Sequence, residues 1–446
     1  MTGTPPGSGR SGTPRGGGRS GTAVRPPLEY SPYDYAIHDD PYPTYARLRA
    51  EAPVYRNDAL DFWALSRHRD VLAAFRDVDR FSNAYGVSLD PAAFGPDAHR
   101  AMSFLAMDPP AHTRLRSLVG KSFTPRRVAE LEPRVRELAV DHLEPALEKG
   151  SFDFVADFAG QLPMDVISEL VGVPEGDRAE LRRLADLVVH REEGVTDVPP
   201  EGAEAAMVLA AYYADMVAER RRRPSDDLTS DLLSADLDGD RITDEEAIGI
   251  LFLMVVAGNE TTTKLLANAW YWGWRFPDQR AKPFADPTRV ADWVEETLRF
   301  DNSTQMLVRV TRQAVPVPNG PIPNGPIPNG MVDDGAGPGE VVTIPAGEKV
   351  LLLIGSANRD EAVFAHPDRY DLDRAGPGGD GKALVSFGGG RHFCMGAPLA
   401  RLEARVALGE LVARTASYDV DPDGIVRVHS INVRGFAALP TTVQVR

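Results

Sequence analysis

Phe387-Gly388-Gly389-Gly390-Arg391-His392-Phe393-Cys394-Met395-Gly396 is the stretch on which the reading of this chain turns. Cys394 is the only cysteine in 446 residues, so any chemistry that needs a sulfur falls to it. A thiolate has to be held deprotonated, which takes backbone N–H groups aimed at the sulfur, and glycines let the chain turn and approach a flat ligand closely. A helix starting near Gly396 would point its positive end at the sulfur and favour negative charge there. Phe387 is placed to cover the sulfur and keep water away. A lone cysteine is most often a small buried hydrophobe; the residues around Cys394 set that reading aside.

The decapeptide resembles the haem-binding loop of the cytochrome P-450 family, in the Phe, the spaced glycines, the basic residue two before the cysteine and the glycine two after it. The resemblance implies haem b with Cys394 as the axial thiolate on its iron, Phe387 and Gly388 against the cofactor, and His392 reaching one of its charged edges. A second motif agrees in identity and order. Ala257-Gly258-Asn259-Glu260-Thr261-Thr262 closes an apolar run from Ile248, which follows a helix-start signal with Thr243 as N-cap and Glu246 three residues later. The run is too short to span a bilayer and reads as a buried helix. By resemblance this helix crosses the distal face of the haem, with Ala257 and Gly258 small where dioxygen must fit. Glu260 and Thr261 then resemble the catalytic acid and alcohol pair that supplies protons, and a carboxylate beside a hydroxyl suits such a relay. Threonines in helices also commonly bond back to the preceding turn.

Glu296 and Arg299 stand at i and i+3, a spacing worth little on a solvated helix face. In the family such a pair is buried with an arginine from a later Pro-x-Arg segment. Pro367-Asp368-Arg369-Tyr370 supplies one here, so Glu296, Arg299 and Arg369 are expected as a structural triad behind the cysteine loop. The two haem propionates need charge-assisted partners. His112 and Arg116, at i and i+4 after Asp108-Pro109-Pro110, share a helix face, and Arg309 and His392 complete the set by resemblance. Each alone would be read as a surface charge or a core histidine.

At 48.5 kDa the chain can bury a large core, and its length alone suggests about three domains. The motifs run from Pro109 to Gly396 and need one shared cofactor, so residues 28–446 are expected to form a single haem domain. Residues 1–27, rich in Gly, Ser, Pro, Thr and Arg, read as a disordered tail, neither signal peptide nor anchor. One cysteine excludes internal disulfides and suits a reducing cytoplasm. The anchor-free start points to the soluble bacterial, actinobacterial type, expected as a monomer. A helix is predicted over Tyr42 to Glu51, strands near Val54 and Trp63, and amphipathic helices from Phe123 to about Ser234, broken at Pro133, Pro163, Pro174 and Pro199-Pro200. Strand signals gather at Val341 to Ile344 and in roughly the last thirty residues. The expected fold class is mainly α, with small antiparallel β-sheets around a buried haem and no βαβ repeat.

One segment departs from the family. Pro318-Asn319-Gly320 recurs at Pro323 and Pro328, a turn-forming unit with no apolar face, so 318–340 reads as an exposed insertion. The net charge of −16 argues against nucleic acid and anionic membrane partners. Arg114, Arg126, Arg127 and Arg391 fall in segments that in the family flank the cysteine side, where an acidic ferredoxin docks. No room remains for a flavin or iron–sulfur domain, so electrons would come from NAD(P)H through a separate ferredoxin reductase and ferredoxin. The implied activity is O2-dependent monooxygenation of a C–H bond in a medium-sized lipophilic molecule: a secondary metabolite, polyketide or macrolide, terpenoid or steroid. Met254, Val255, Thr304, Gln305 and Ile431 are candidate pocket residues. Two rivals stand beside this reading. A peroxide-driven peroxygenase of the same fold usually lacks the acid and alcohol pair. A non-catalytic haem-binding sensor would need neither relay nor substrate cavity.

Overall fold

The computed structural model describes residues 27–120, 123–190, 192, 195–237, 239–319, 341–376 and 379–446. The expected N-terminal tail up to residue 26, and residues 320–340 of the repeat insertion, lie outside them. Ten helices carry the argument: α1 (Tyr42–Glu51), α2 (His68–Arg76), α3 (Ala111–Gly120), α4 (Glu132–Lys149), α5 (Gln161–Val171), α6 (Glu175–Val189), α7 (Pro200–Arg222), α8 (Asp244–Arg275), α9 (Val290–Phe300) and α10 (Ala397–Arg414). The prolines that punctuate the sequence mark helix starts. Pro133 and Pro163 sit in the first turns of α4 and α5, while Pro174 and Pro199 are the residues just before α6 and α7. A first-turn residue has no use for the N–H that proline lacks.

The 32-residue α8 is the axis of the molecule. Thr243 accepts from the Glu246 N–H while Glu246 reaches back to the Thr243 N–H, closing the capping box predicted from sequence. From there α8 packs against α5, α6, α7, α9 and α10. Among the described residues it is the one helix long and apolar enough to cross a membrane, and most of its apolar window is buried inside the protein. Near its C-terminal end Trp270 is fully buried, stacked on Phe154 and Tyr418 at ring separations of 5.0 and 3.5 Å.

The strands β1 (Val54–Asn57), β2 (Phe62–Leu65), β3 (Phe81–Ser82), β4 (Met306–Thr311), β5 (Val315–Pro318), β6 (Val341–Ile344) and β7 (Lys349–Leu353) lie to one side. Five of them form a sheet in the order β1-β2-β7-β4-β3. Its pairings are antiparallel except β7 with β2, which run parallel with Val350 opposite Trp63. That exception corrects the all-antiparallel expectation. Parallel neighbours need a long crossover, and here the crossover is the helical body itself. β5 and β6 pair antiparallel with Pro318 opposite Val341. The predicted C-terminal strands form too, Thr415–Val420 pairing with Pro440–Val445.

Candidate functional site

The cysteine loop is seated on α2 and turned by glycines. Gly388 and Gly390 have φ of 70° and 64°, and a Cβ on Gly390 would lie 2.6 Å from the Phe75 carbonyl oxygen. These two positions require glycine. α10 begins at Ala397, just past Gly396, as expected. Burial pushes the Cys394 thiol up, while N–H groups of Gly396 and Ala397 and the guanidinium groups of Arg116 and Arg401 favour the thiolate. The Cys394 N–H donates to the Phe387 carbonyl at 3.0 Å. Phe387 lies under the Arg401 guanidinium, 4.5 Å from its ring centroid.

Cys394 keeps accessible surface although protein surrounds its sulfur. Ala257, halfway along the central helix, is exposed in the same sense. A flat cofactor held by Cys394 would cover this accessible sulfur.

The four predicted propionate partners converge. His112 and Arg116 come from α3, Arg309 from β4 and His392 from the loop. The two imidazole rings are 4.0 Å apart. Burial, then the neighbouring cations, lower His112 to about 4 and His392 to about 2. Arg309, also buried, drops to about 10. Both ring nitrogens of His112 and Nε2 of His392 are buried without a hydrogen-bond partner. Asp108 is the carboxylate within reach, and it already accepts from the Ser82 hydroxyl, the Asn83 N–H and Arg312. Arg116 donates to the Phe393 carbonyl and Arg309 to the Val308 carbonyl, and these two cations beside the unpartnered imidazole nitrogens fit the two carboxylates of haem.

On the other side, Glu260 is buried and paired with Lys264, whose Nζ lies 3.2 Å from Oε2. The Thr261 hydroxyl donates to the Ala257 carbonyl at 2.8 Å, and Ser303 Oγ donates to the Thr261 carbonyl at 2.6 Å. Gly258 is half-buried, and a Cβ there would come no nearer than 3.8 Å to Ile167 of α5.

The pocket candidates divide. Val255 is fully buried in an apolar cluster with residues of α6 and α7, and Ile431 in another with Tyr30 and Leu89. Gln305 folds back, its amide donating to the Asn302 carbonyl at 2.8 Å and its oxygen against Gly355. Met254 and Thr304 keep partial exposure.

The triad needs one correction. Arg299 holds both oxygens of Glu296, Nε to Oε2 at 2.8 Å and Nη2 to Oε1 at 2.7 Å, with both residues buried. Arg369 offers only its carbonyl, to Arg299 Nη2 at 3.0 Å, and is itself exposed. Its neighbour Tyr370 turns inward, and the short helical turn Leu372–Ala375 brings buried Arg374 back, Nε 3.5 Å from Glu296 Oε1. Asn358, which sequence reasoning missed, links this network to the cysteine loop. It accepts from the Val385 N–H at 2.8 Å and donates to Ser386 Oγ at 2.8 Å.

The expected basic docking patch is mostly neutralised. Arg114 is tied to Asp240 and Glu246, Arg126 to Glu130 and Arg127 to Asp231; Arg391 stays exposed.

A family model described as cytochrome P450 matches residues 334–445. The chain is 58% identical over 421 residues to a putative cytochrome P450 123 of Mycobacterium tuberculosis, covering 94% of this chain and 98% of that one. It is 40% identical over 413 residues to the vitamin D(3) 25-hydroxylase of Pseudonocardia autotrophica, covering 91% and 94%. Among solved structures, that of Mycobacterium marinum cytochrome P450 CYP268A2 in complex with pseudoionone matches with a TM-score of 0.79 at 32% identity, covering 94% of this chain and all of that one (100%).

Proposed function

The chain belongs to the cytochrome P450 family of haem monooxygenases, and on that premise we propose that it hydroxylates a medium-sized isoprenoid-derived lipid, a terpenoid or steroid. We further read residues 28–446 as one haem-binding unit fed by a ferredoxin, its reductase and NAD(P)H. The observation that carries the cofactor assignment is the convergence of His112, Arg116, Arg309 and His392 beside the Cys394 loop, with both ring nitrogens of His112 and Nε2 of His392 left without a partner.

In this reading the Cys394 sulfur would hold the haem iron, and His112, Arg116, Arg309 and His392 would hold its propionates. When bound, thiolate-ligated haem iron supplies the activation of dioxygen that oxygen insertion into a C–H bond requires. The chain's own residues do the rest. N–H groups of Gly396 and Ala397 stabilise negative charge on Sγ. The Thr261 proton is committed to the Ala257 carbonyl, so Oγ1 is left to accept a hydrogen bond and to position a proton donor. Glu260, held as a carboxylate by Lys264, is the base-form reservoir behind it. Retention of this acid and alcohol pair favours the monooxygenase over a peroxygenase or a sensor.

The substrate class rests on two similar proteins, one named for vitamin D(3) and one solved with pseudoionone. An absorbance titration of the ferric protein with vitamin D3, pseudoionone, a saturated fatty acid and a macrolide tests it. A saturable shift with either isoprenoid compound is expected. A shift confined to the macrolide or the fatty acid overturns the substrate class, and an unchanged haem spectrum in Cys394→Ala overturns the ligand assignment.

A further inference from the structure

Glu260 and Lys264 stand one turn apart on α8, with Lys264 Nζ 3.2 Å from Glu260 Oε2 and the two residues 3% and 5% exposed. On a solvated helix face such a pair contributes little, whereas a buried pair cannot lose one member without stranding the other. Burial opposes the ionisation of Glu260; Lys264, with smaller help from Asp186 and Arg182 of α6, outweighs it and holds the carboxyl below its usual range. The position of the ammonium therefore decides where the Glu260 carboxylate sits.

What fixes the lysine comes from a distant part of the chain. Residues 428–435 form a loop whose ends are joined by the Val428 N–H donating to the Gly435 carbonyl at 3.1 Å. Gly435 packs directly on the lysine stem: a Cβ there would lie 2.6, 2.8 and 2.9 Å from Cβ, Cγ and Cδ of Lys264. The nearest of these atoms, Cβ, is pinned by the α8 main chain, so no rotamer change relieves the overlap, and loop and helix would have to part. Arg434 secures the loop, with Nε on Asp301 Oδ1 at 2.7 Å and Nη2 on the Asp39 carbonyl at 3.1 Å.

The same loop borders the turn that carries Thr304. The Gln305 N–H donates to the Asn432 carbonyl at 2.8 Å, Val433 forms a β-bridge with Thr304, and the Arg434 N–H donates to the Ser303 carbonyl at 2.7 Å. Ser303 Oγ in turn donates to the Thr261 carbonyl at 2.6 Å. Four consecutive residues, Asn432 to Gly435, thus meet the pocket candidate Thr304, the serine that holds the Thr261 main chain and the lysine that holds Glu260.

We propose that Lys264 and Gly435 are positioning residues for proton delivery: the ammonium clamps the Glu260 carboxylate against α8, and the main chain at Gly435, which leaves room for the lysine stem and no more, ties that clamp to the loop beside Thr304. A displacement of this loop then reaches both members of the acid and alcohol pair, Glu260 through Gly435 and Lys264, and Thr261 through Ser303.

This inference rests on Glu260 being the proton source, and the test keeps the two apart. In the haem-loaded, full-length protein, Lys264→Met and Gly435→Ala should each bring up a protonated-carboxyl infrared band at neutral pH that the wild type lacks, that shifts in D2O and that is lost when Glu260→Gln is added. Product formed per NAD(P)H, with whichever of vitamin D3 or pseudoionone gives the spectral shift, should fall roughly tenfold in Lys264→Met and by a smaller factor in Gly435→Ala, with the midpoint of the absorbance titration unchanged. Lys264→Arg, which keeps stem and cation, should retain most of the coupling. A carboxyl spectrum and coupling equal to wild type in either Lys264→Met or Gly435→Ala overturns the proposal. If both variants stay coupled while Glu260→Gln does not, the relay stands and the positioning role is dismissed; if Glu260→Gln also stays coupled, the relay reading itself fails and the proposal with it. Should Lys264→Met not fold, Gly435→Ala, which changes no charge, decides by the same infrared band, whose absence overturns the proposal.

Discussion

Arg374 Nε lies 3.5 Å from Glu296 Oε1, on a carboxylate whose two oxygens Arg299 already holds. Glu296 thus faces two buried guanidinium groups, and Arg374 also donates to the His366 carbonyl at 2.6 Å and to Asp380. Removing one partner from a buried ion cluster strands the others, at a cost of about 3–5 kcal/mol. Arg374→Ala should lose stability on that scale in urea unfolding and retain less haem. Arg369→Ala, whose side chain is exposed, should stay within about 0.5 kcal/mol of wild type. The reverse ranking would restore Arg369 to the triad.

Asp301 gives the pH dependence a sign. It is fully buried and bonded to Tyr42 Oη at 2.6 Å, Trp272 Nε1 at 2.8 Å and Arg434 Nε at 2.7 Å. Burial opposes its ionisation, but Arg434 and Arg427 prevail and hold it at about 2. An acid depressed in the folded state stabilises the fold above its unfolded pKa of about 3.9 and loses that contribution as pH falls toward 2, here about 2–3 kcal/mol. Asp301→Asn should therefore be markedly less stable than wild type at pH 7, with the gap narrowing between pH 4 and pH 2. A gap that is constant across that window would show the carboxylate charge to be irrelevant.

Gly390 is held with φ of 64° and its Cα faces the Phe75 carbonyl, where a Cβ would stand 2.6 Å away. Gly390→Ala combines a left-handed backbone with a clash against main chain that cannot swing aside, costing about 1–3 kcal/mol. The damage should concentrate in the cysteine loop, so haem retention is expected to fall further than global stability. Gly409→Ala, in α10 with open space around its Cβ, should be neutral or slightly stabilising.

What could be read in advance was local. The capping box of α8, the prolines opening α4 to α7 and the glycines around Cys394 act within a few residues, and each appears where expected. What failed depends on direction or distance. Arg369 and Arg374 differ by a short helical turn that spacing does not reveal. Asn358 becomes a partner of Ser386 only once distant segments are packed, and the parallel β2–β7 pair joins strands separated by most of the chain.

The antiparallel β5–β6 pair on either side of the repeat segment offers a clean excision. Pro318 pairs with Val341, and Asn319 Oδ1 accepts from the Val54 N–H at 3.2 Å. Deleting residues 321–340 leaves Asn319-Gly320 as a two-residue loop, the pair that a tight type I′ hairpin turn favours. Stability should change by less than about 1 kcal/mol, since loop length enters closure entropy only logarithmically. Full haem loading and unchanged unfolding in the shortened chain would mark the repeat as dispensable to the fold; loss of haem would show that it supports the sheet beneath Arg309.

Thr261 is the sharpest test of the relay because its main-chain and side-chain roles separate. Its hydroxyl bonds back to the Ala257 carbonyl and its own carbonyl accepts from Ser303 Oγ. Thr261→Ala frees the Ala257 carbonyl for water and leaves the Ser303 bond intact, so fold and haem spectrum should survive. If Oγ1 positions a proton donor, product per NAD(P)H should drop on the order of tenfold or more while electron consumption continues, and Thr261→Ser should recover most of it. Ser303→Ala reaches only the backbone of Thr261 and should lower stability by about 1 kcal/mol without uncoupling. Equal effects of Thr261→Ala and Ser303→Ala on coupling would mean that the site needs the conformation of this turn of α8, and that the hydroxyl carries no proton-positioning role.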